Sequence, residues 1–228
     1  IIRTLPAFEA LNEEWNNLLL HSASNVPFLR HEYLKIWWQT LGGGEWQEGE
    51  LYIITGRTPD GGLVGIAPLF FAPNRQGVPA LLLLGSIEIS DYLDLIASPA
   101  QHADFIAALA AHLASSQAPD WKVLDWYNLL ESSATLPELE RAAARHGWNF
   151  SQEPLQHCPS IHLPGDFEKY LAEQVDKKQR HEIRRKMRRA AEHPLPVRWY
   201  IVQDESTLDQ EIQAFLALMA HDPEKNAF

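Results

Sequence analysis

Thirteen residues, Lys177 to Arg189, read KKQRHEIRRKMRR and hold eight Lys or Arg against one Glu. The whole chain has a formal net charge of −11, so this +7 segment leaves −18 on the remainder. Cations gathered in that way suit an anion: a phosphate, a nucleotide, a nucleic acid or a membrane surface. Arg180 and Arg184 stand four apart, neighbours on a helix. Two guanidinium forks there, with Lys178 beside them, match a phosphate or carboxylate. The competing reading is a solvated helix face whose cations pair with acidic neighbours. No Phe, Trp or Tyr lies between Gln174 and Glu192. Single-stranded nucleic acid is held by stacking on aromatic rings, so nucleic acid is the less favoured partner.

A second candidate is Ser90-Asp91-Tyr92-Leu93-Asp94, at the start of a predicted strand. A partly buried carboxylate at that place would take a proton from an attacking amine. Strand alternation sets Tyr92 and Asp94 on one face and Asp91 on the other. Asp91 and Asp94 are thus the candidate catalytic residues and Tyr92 a substrate contact. The alternative is an ordinary strand-start cluster in which Asp91 caps its own turn. Trp37 and Trp38, adjacent on a predicted helix, are the pair of the eight Trp best placed to line a pocket.

Other chemistries find less support. His157, Cys158 and His162 offer only two converging ligands on a strand, and structural zinc wants four. Cys158 is followed by Pro159 and has no activating partners in view. No Gly-x-Ser-x-Gly elbow occurs. A hydrophobic content of 46% supports a buried core and excludes general disorder. The single cysteine excludes an internal disulfide and fits a reducing, cytoplasmic setting. No apolar run reaches the roughly 18 residues of a membrane span.

The elements that must position these residues follow from periodicity. Phe8, Leu11, Trp15, Leu18 and Leu19 predict an amphipathic helix, and a second runs from Arg30 to Leu41, stopped by Gly42-Gly43-Gly44. Strands are predicted at 1–5, 51–55, 63–71, 80–84 and 92–97, with a turn at Pro59-Asp60-Gly61-Gly62. Ser98-Pro99 opens an Ala-rich helix to Ser115. Strand 121–126, helix 137–146 and strands 148–153 and 158–163 complete a first domain over residues 1–163. A basic linker helix is expected over 164–193, beginning at Asp166 and ended by Pro194 and Pro196. A strand at 197–202 and a helix from Leu208 to Met219 begin a second, incomplete domain over 194–228, with further residues expected after Phe228. The fold class is α/β in the broad sense: a mixed, mostly antiparallel sheet with helices on both faces.

This order resembles that of the GNAT acyltransferase superfamily, and three passages resemble its two-domain FemAB and CelD-like group. They are Val26-Pro27-Phe28 leading to Trp37 and Trp38 and then Leu63-Val64-Gly65-Ile66-Ala67-Pro68-Leu69; Ser90 to Asp94; and Lys178-Gln179-Arg180-His181-Glu182-Ile183-Arg184-Arg185-Lys186. The resemblance implies twin acyltransferase folds, a substrate cleft between them, and acetyl-CoA or another acyl or aminoacyl donor. It also implies an anionic small-molecule or cell-envelope precursor as acceptor. CoA-binding members carry an Arg/Gln-x-x-Gly-x-Gly/Ala loop after the fourth strand, whose N–H groups cradle a pyrophosphate. This chain has Ala97-Ser98-Pro99-Ala100-Gln101 there, so the donor site is expected beyond residue 228. The rival expectation is a catalytically silent scaffold that docks through its basic helix on an acidic partner, a membrane surface or RNA.

Overall fold

Large apolar side chains recur at helical spacing near the start of the chain, and each finds the same core. The computed structural model describes residues 1–195 and 199–222. Its elements fall into two units, Ile1–His157 and Cys158–Phe228. The predicted first helix is two: α1 (Leu5–Glu9) and α2 (Asn12–Leu20). Phe8, Trp15 and Leu19 are buried on them. The Trp15 indole N–H donates to the Leu29 carbonyl at 2.8 Å, satisfying its one polar atom. Helix α3 (His31–Gly44) ends where Leu41, Gly42 and Gly43 turn left-handed, with φ of 47°, 70° and 72°. Glycine adopts that geometry without a Cβ penalty.

Strands β1 (Glu50–Leu51) and β2 (Ile54–Arg57) run antiparallel to β4 (Leu69–Pro73) and β3 (Leu63–Ala67) respectively. Strand β5 (Pro79–Leu83) pairs antiparallel with β4 and parallel with β7 (Val123–Leu124), giving one sheet of order β1-β4-β5-β7. The other sheet has order β2-β3-β6, with β6 at Ile96–Ala97. Pro68 separates β3 from β4. Proline has no N–H to give a ladder, so the two sheets part there. Its carbonyl still accepts from Leu84 N at 2.7 Å. The chain is therefore mixed α+β with two mostly antiparallel sheets.

Helix α4 (His102–Leu113) lies on the second sheet. Gly56 and Gly65 face each other across β2 and β3, and the Phe105 ring rests on the bare patch they leave. A Cβ on Gly65 would stand 2.4 Å from that ring, and one on Gly56 2.7 Å. Neither glycine has a positive φ, so the requirement is one of space. Gly65→Ala should cost about 1–3 kcal/mol, the usual penalty of overpacking. Equilibrium urea unfolding checks this, and unchanged stability would mean that Phe105 does not press on the sheet.

Helix α5 (Thr135–His146) packs against α4 and ends at Gly147 with φ 69°. Several expectations are corrected at this level. The Ala-rich helix starts at His102, not Ser98, because residues 98–101 form a turn closed by Gln101 N to Ser98 O at 3.0 Å. Of the strand expected at 92–97 only Ile96–Ala97 exists, since Tyr92 has φ 58° and leaves the extended region. Residues 148–153 and 158–163 form no strand, because neither stretch is hydrogen-bonded along a sheet edge. Ile2 makes only a single bridge, to Ile53.

In the second unit the expected long helix is broken into α6 (Phe167–Glu173) and α7 (Lys177–Ala191). Asp176 makes the break. Its carboxylate accepts from Lys178 N and Gln179 N at 2.9 and 3.1 Å, starting a new helix in place of continuing the old one. Helix α8 (Leu208–Met219) is where periodicity put it. Residues 197 and 198 of the strand expected at 197–202, and residues 223–228 of the expected second domain, lie outside the described residues. Residues 199–202 carry no strand. Among the described residues no helix is long and apolar enough to cross a membrane.

Candidate functional site

The residues around Asp94 are set by an interruption in the sheet. Leu69 pairs with Leu83, and Ile66 pairs with Ile96. Strands β3 and β4 follow one another through Pro68, so three steps from Leu69 to Ile66 stand opposite thirteen from Leu83 to Ile96, and ten residues leave the ladders between β5 and β6. Buried backbone in such an excursion must find partners other than a strand, and side chains from several elements supply them. Both Glu45 carboxylate oxygens accept from Ile87 N, at 2.8 and 2.9 Å. Trp46 Nε1 donates to Ser86 O at 3.0 Å. Tyr33 OH donates to Ile89 O at 2.7 Å and lies 2.9 Å from Ser90 Oγ. Asn128 Nδ2 donates to the carbonyls of both Ile87 and Ser90, at 2.8 and 2.7 Å, and its own carbonyl accepts from Leu93 N at 2.9 Å. Arg75 pairs with Glu45 at 3.3 Å and with Glu88.

Asp94 anchors the returning end. It is 4% exposed, and its two oxygens hold four donors. Ser24 Oγ and Ser133 Oγ each donate to Oδ2 at 2.6 Å. Thr135 Oγ1 donates to Oδ1 at 2.5 Å, and Leu95 N to the same oxygen at 2.8 Å. A carboxylate has about four lone-pair sites, and all are taken. Thr135 gives its one proton to Asp94, so its oxygen accepts from His102 Nε2 at 3.0 Å, which places a ring proton on Nε2. The array joins the loop after α2, the start of α4 and the start of α5 to the sheet.

The expected roles separate accordingly. Asp94 is a buried framework group whose oxygens face hydroxyls, not an acceptor amine; its assignment as proton acceptor is corrected. Asp91 is exposed and makes no hydrogen bond or ion pair with the described residues. It does not cap its own turn. Tyr92 is partly buried at the left-handed position between them, so the alternating faces predicted for the three do not exist. Trp37 is 2% exposed and sits in the core against Phe70, with rings 5.4 Å apart, so it lines no pocket. Trp38 is partly buried against the same ring at 6.2 Å.

On α7, Arg184 is paired with Glu168, and Arg185 binds Glu182 through two nitrogens at 2.8 and 2.7 Å. That pairing holds the Glu182 carboxyl below its ordinary range. Arg180 reaches only the Val175 carbonyl at 3.4 Å, and its Nε is buried without a partner. Lys178 is exposed and makes no ion pair among the described residues. The helix is thus partly neutralised, and Arg180 with Lys178 remains available where Arg184 is engaged. Among the described residues no group of three His, Cys, Asp or Glu gathers to hold a metal.

The chain matches no family profile, no curated protein and no solved structure. The site rests on its own geometry. Sequence reasoning passed over Ser24, Glu45, His102, Asn128, Ser133 and Thr135. One signal was present: Asp94 stands between Leu93 and Leu95, and a carboxylate inside an apolar run must collect donors if it is buried.

Proposed function

We propose that this chain belongs to an N-acyltransferase that moves an acyl or aminoacyl group onto an amine of a polar, anionic acceptor, such as a cell-envelope or polysaccharide precursor. The observation that carries the reading is Asp91: an exposed, unengaged carboxylate on a loop fixed by Tyr33, Glu45, Asn128 and the Asp94 array. Functional groups work best when their support is rigid. Acyl transfer asks little more than a positioned amine, a base for its proton and donors for the oxyanion. As the new C–N bond forms, the bond from the acyl carbon to its carrier (the thioester C–S bond in acetyl-CoA) breaks and releases the carrier, and Asp91 receives the proton that the amine sheds. Tyr92 is beside it in sequence, and Asp94 positions both without touching the acceptor. Lys178 and Arg180 are the anion contacts of this reading; Arg184, held by Glu168, joins them only if that pair opens.

Residues 97–101 do not fit a pyrophosphate. They contain no glycine, Pro99 has no N–H, and Gln101 N is already bonded to Ser98 O. In this reading the donor, acetyl-CoA or another activated acyl group, takes a site other than residues 97–101. The same observation favours a second reading, a catalytically silent scaffold docking through α7. Calorimetry on the full-length protein with acetyl-CoA, followed by an assay for amine acylation, separates the two. Saturable transfer supports the enzyme. Absence of both binding and transfer across activated acyl donors leaves the scaffold.

A further inference from the structure

Helix α7 carries cations at a spacing that builds one continuous stripe. Lys177, Arg184 and Arg188 form one row at seven- and four-residue intervals, and Lys178, Arg185 and Arg189 form the adjoining row at the same intervals. All six are exposed. The stripe covers roughly 18 Å at the helical rise of about 1.5 Å per residue. Lys177, Lys178, Arg188 and Arg189, its two ends, make no ion pair among the described residues. Glu192 lies four residues beyond Arg188 and three beyond Arg189, the spacing of helical pairs, yet its carboxylate forms an ion pair with neither. Arg185, Arg188 and Arg189 line a shallow depression together with Glu192, His193 and Pro194, so three cations there outnumber one carboxylate.

A few residues past the helix, large apolar side chains lie exposed. Leu195 is 75% exposed, and Trp199, Tyr200 and Ile201 are 83%, 68% and 71% exposed. Trp and Tyr favour the level of lipid headgroups, where the ring is half apolar and the polar edge stays wet. A polybasic segment alone, or an apolar one alone, binds a bilayer weakly, and the two together bind it stably. Outside this region the charge has the other sign. Residues 1–157 hold 18 acidic and 8 basic side chains, a net −10, so an anionic surface repels the first unit and the attraction is confined to α7.

We propose that α7 and the segment 199–201 form a peripheral docking surface for an anionic lipid bilayer. The helix lies along the headgroups, the unpaired cations meet lipid phosphates, and Trp199 inserts at the interface. Lys178 and Arg184 are shared with the transferase reading, but Lys177, Arg188, Arg189 and Trp199, the residues tested below, take no part in it.

The test uses full-length protein and vesicles of phosphatidylcholine with or without about one-third phosphatidylglycerol. Binding is expected to the anionic vesicles only and to weaken as salt rises. Each cation near such a surface contributes about fivefold, so Lys177→Glu, Arg188→Glu and Arg189→Glu combined should lower partitioning by at least on the order of a hundredfold. These side chains are exposed and unpaired, and unchanged circular dichroism verifies folding. Separately, Trp199→Ser should remove the blue shift of tryptophan fluorescence on binding. Equal binding to neutral vesicles, no binding to anionic ones, or tighter binding to single-stranded RNA at the same salt would overturn the proposal.

Discussion

Replacing Asp94 by Ala should destabilise the first unit by about 3–5 kcal/mol, the loss expected when one partner of a buried charged network is removed. Four donors lose their acceptor at once. Ser24 and Ser133 are partly exposed, so their hydroxyls can turn to water at little cost. Thr135 is fully buried, and the Leu95 amide is fixed by the backbone. Each buried donor left without a partner costs about 1–3 kcal/mol, and two of them account for most of the loss.

Asp94→Asn is the informative companion. The amide oxygen would face Leu95 N, which cannot rotate, and the amide nitrogen would face the two serine hydroxyls, which can turn to accept. Asparagine should therefore recover at least half of the loss. Urea unfolding of the three proteins measures both differences. A cost below about 1 kcal/mol for Asp94→Ala would show that the array contributes little, since that is the scale of one ordinary hydrogen bond.

Local periodicity made the helices legible, and long-range pairing hid the strands. Phe8, Trp15 and Leu19 repeat at helical spacing and are buried as that spacing requires. The hairpin turn at Pro59 to Gly62 was readable because Gly61, with φ 93°, needs glycine. Residues 148–153 and 158–163 look like strands by composition, but a strand exists only where an edge is free to pair, and no local pattern reports that. The break at Asp176 was missed because apolar residues continue through it, while a capping carboxylate restarts the helix.

The site was legible only in part. Ser90 to Asp94 stands out as a polar cluster between apolar strands, but sequence reads both carboxylates as proton acceptors and does not show that Asp94 is buried among hydroxyls while Asp91 is exposed. The partners that decide them, Ser24, Asn128, Ser133 and Thr135, lie 34 to 70 residues away in sequence and carry no motif. Trp37 and Trp38 are adjacent on one helix, and whether an indole lines a pocket or fills a core depends on Phe70 across the sheet.

Asp91→Asn should lower kcat/KM for amine acylation by about 100- to 10,000-fold, the range for removing a general base. Asp91 is exposed and bonded to nothing among the described residues, so the change should leave stability within about 0.5 kcal/mol, as exposed substitutions do. That separation sets it apart from Asp94, whose loss strikes stability first. The decisive measurement is kcat/KM of full-length Asp91→Asn beside its unfolding free energy. Turnover is expected to fall steeply with stability unchanged. Undiminished turnover in a folded Asp91→Asn protein would contradict it.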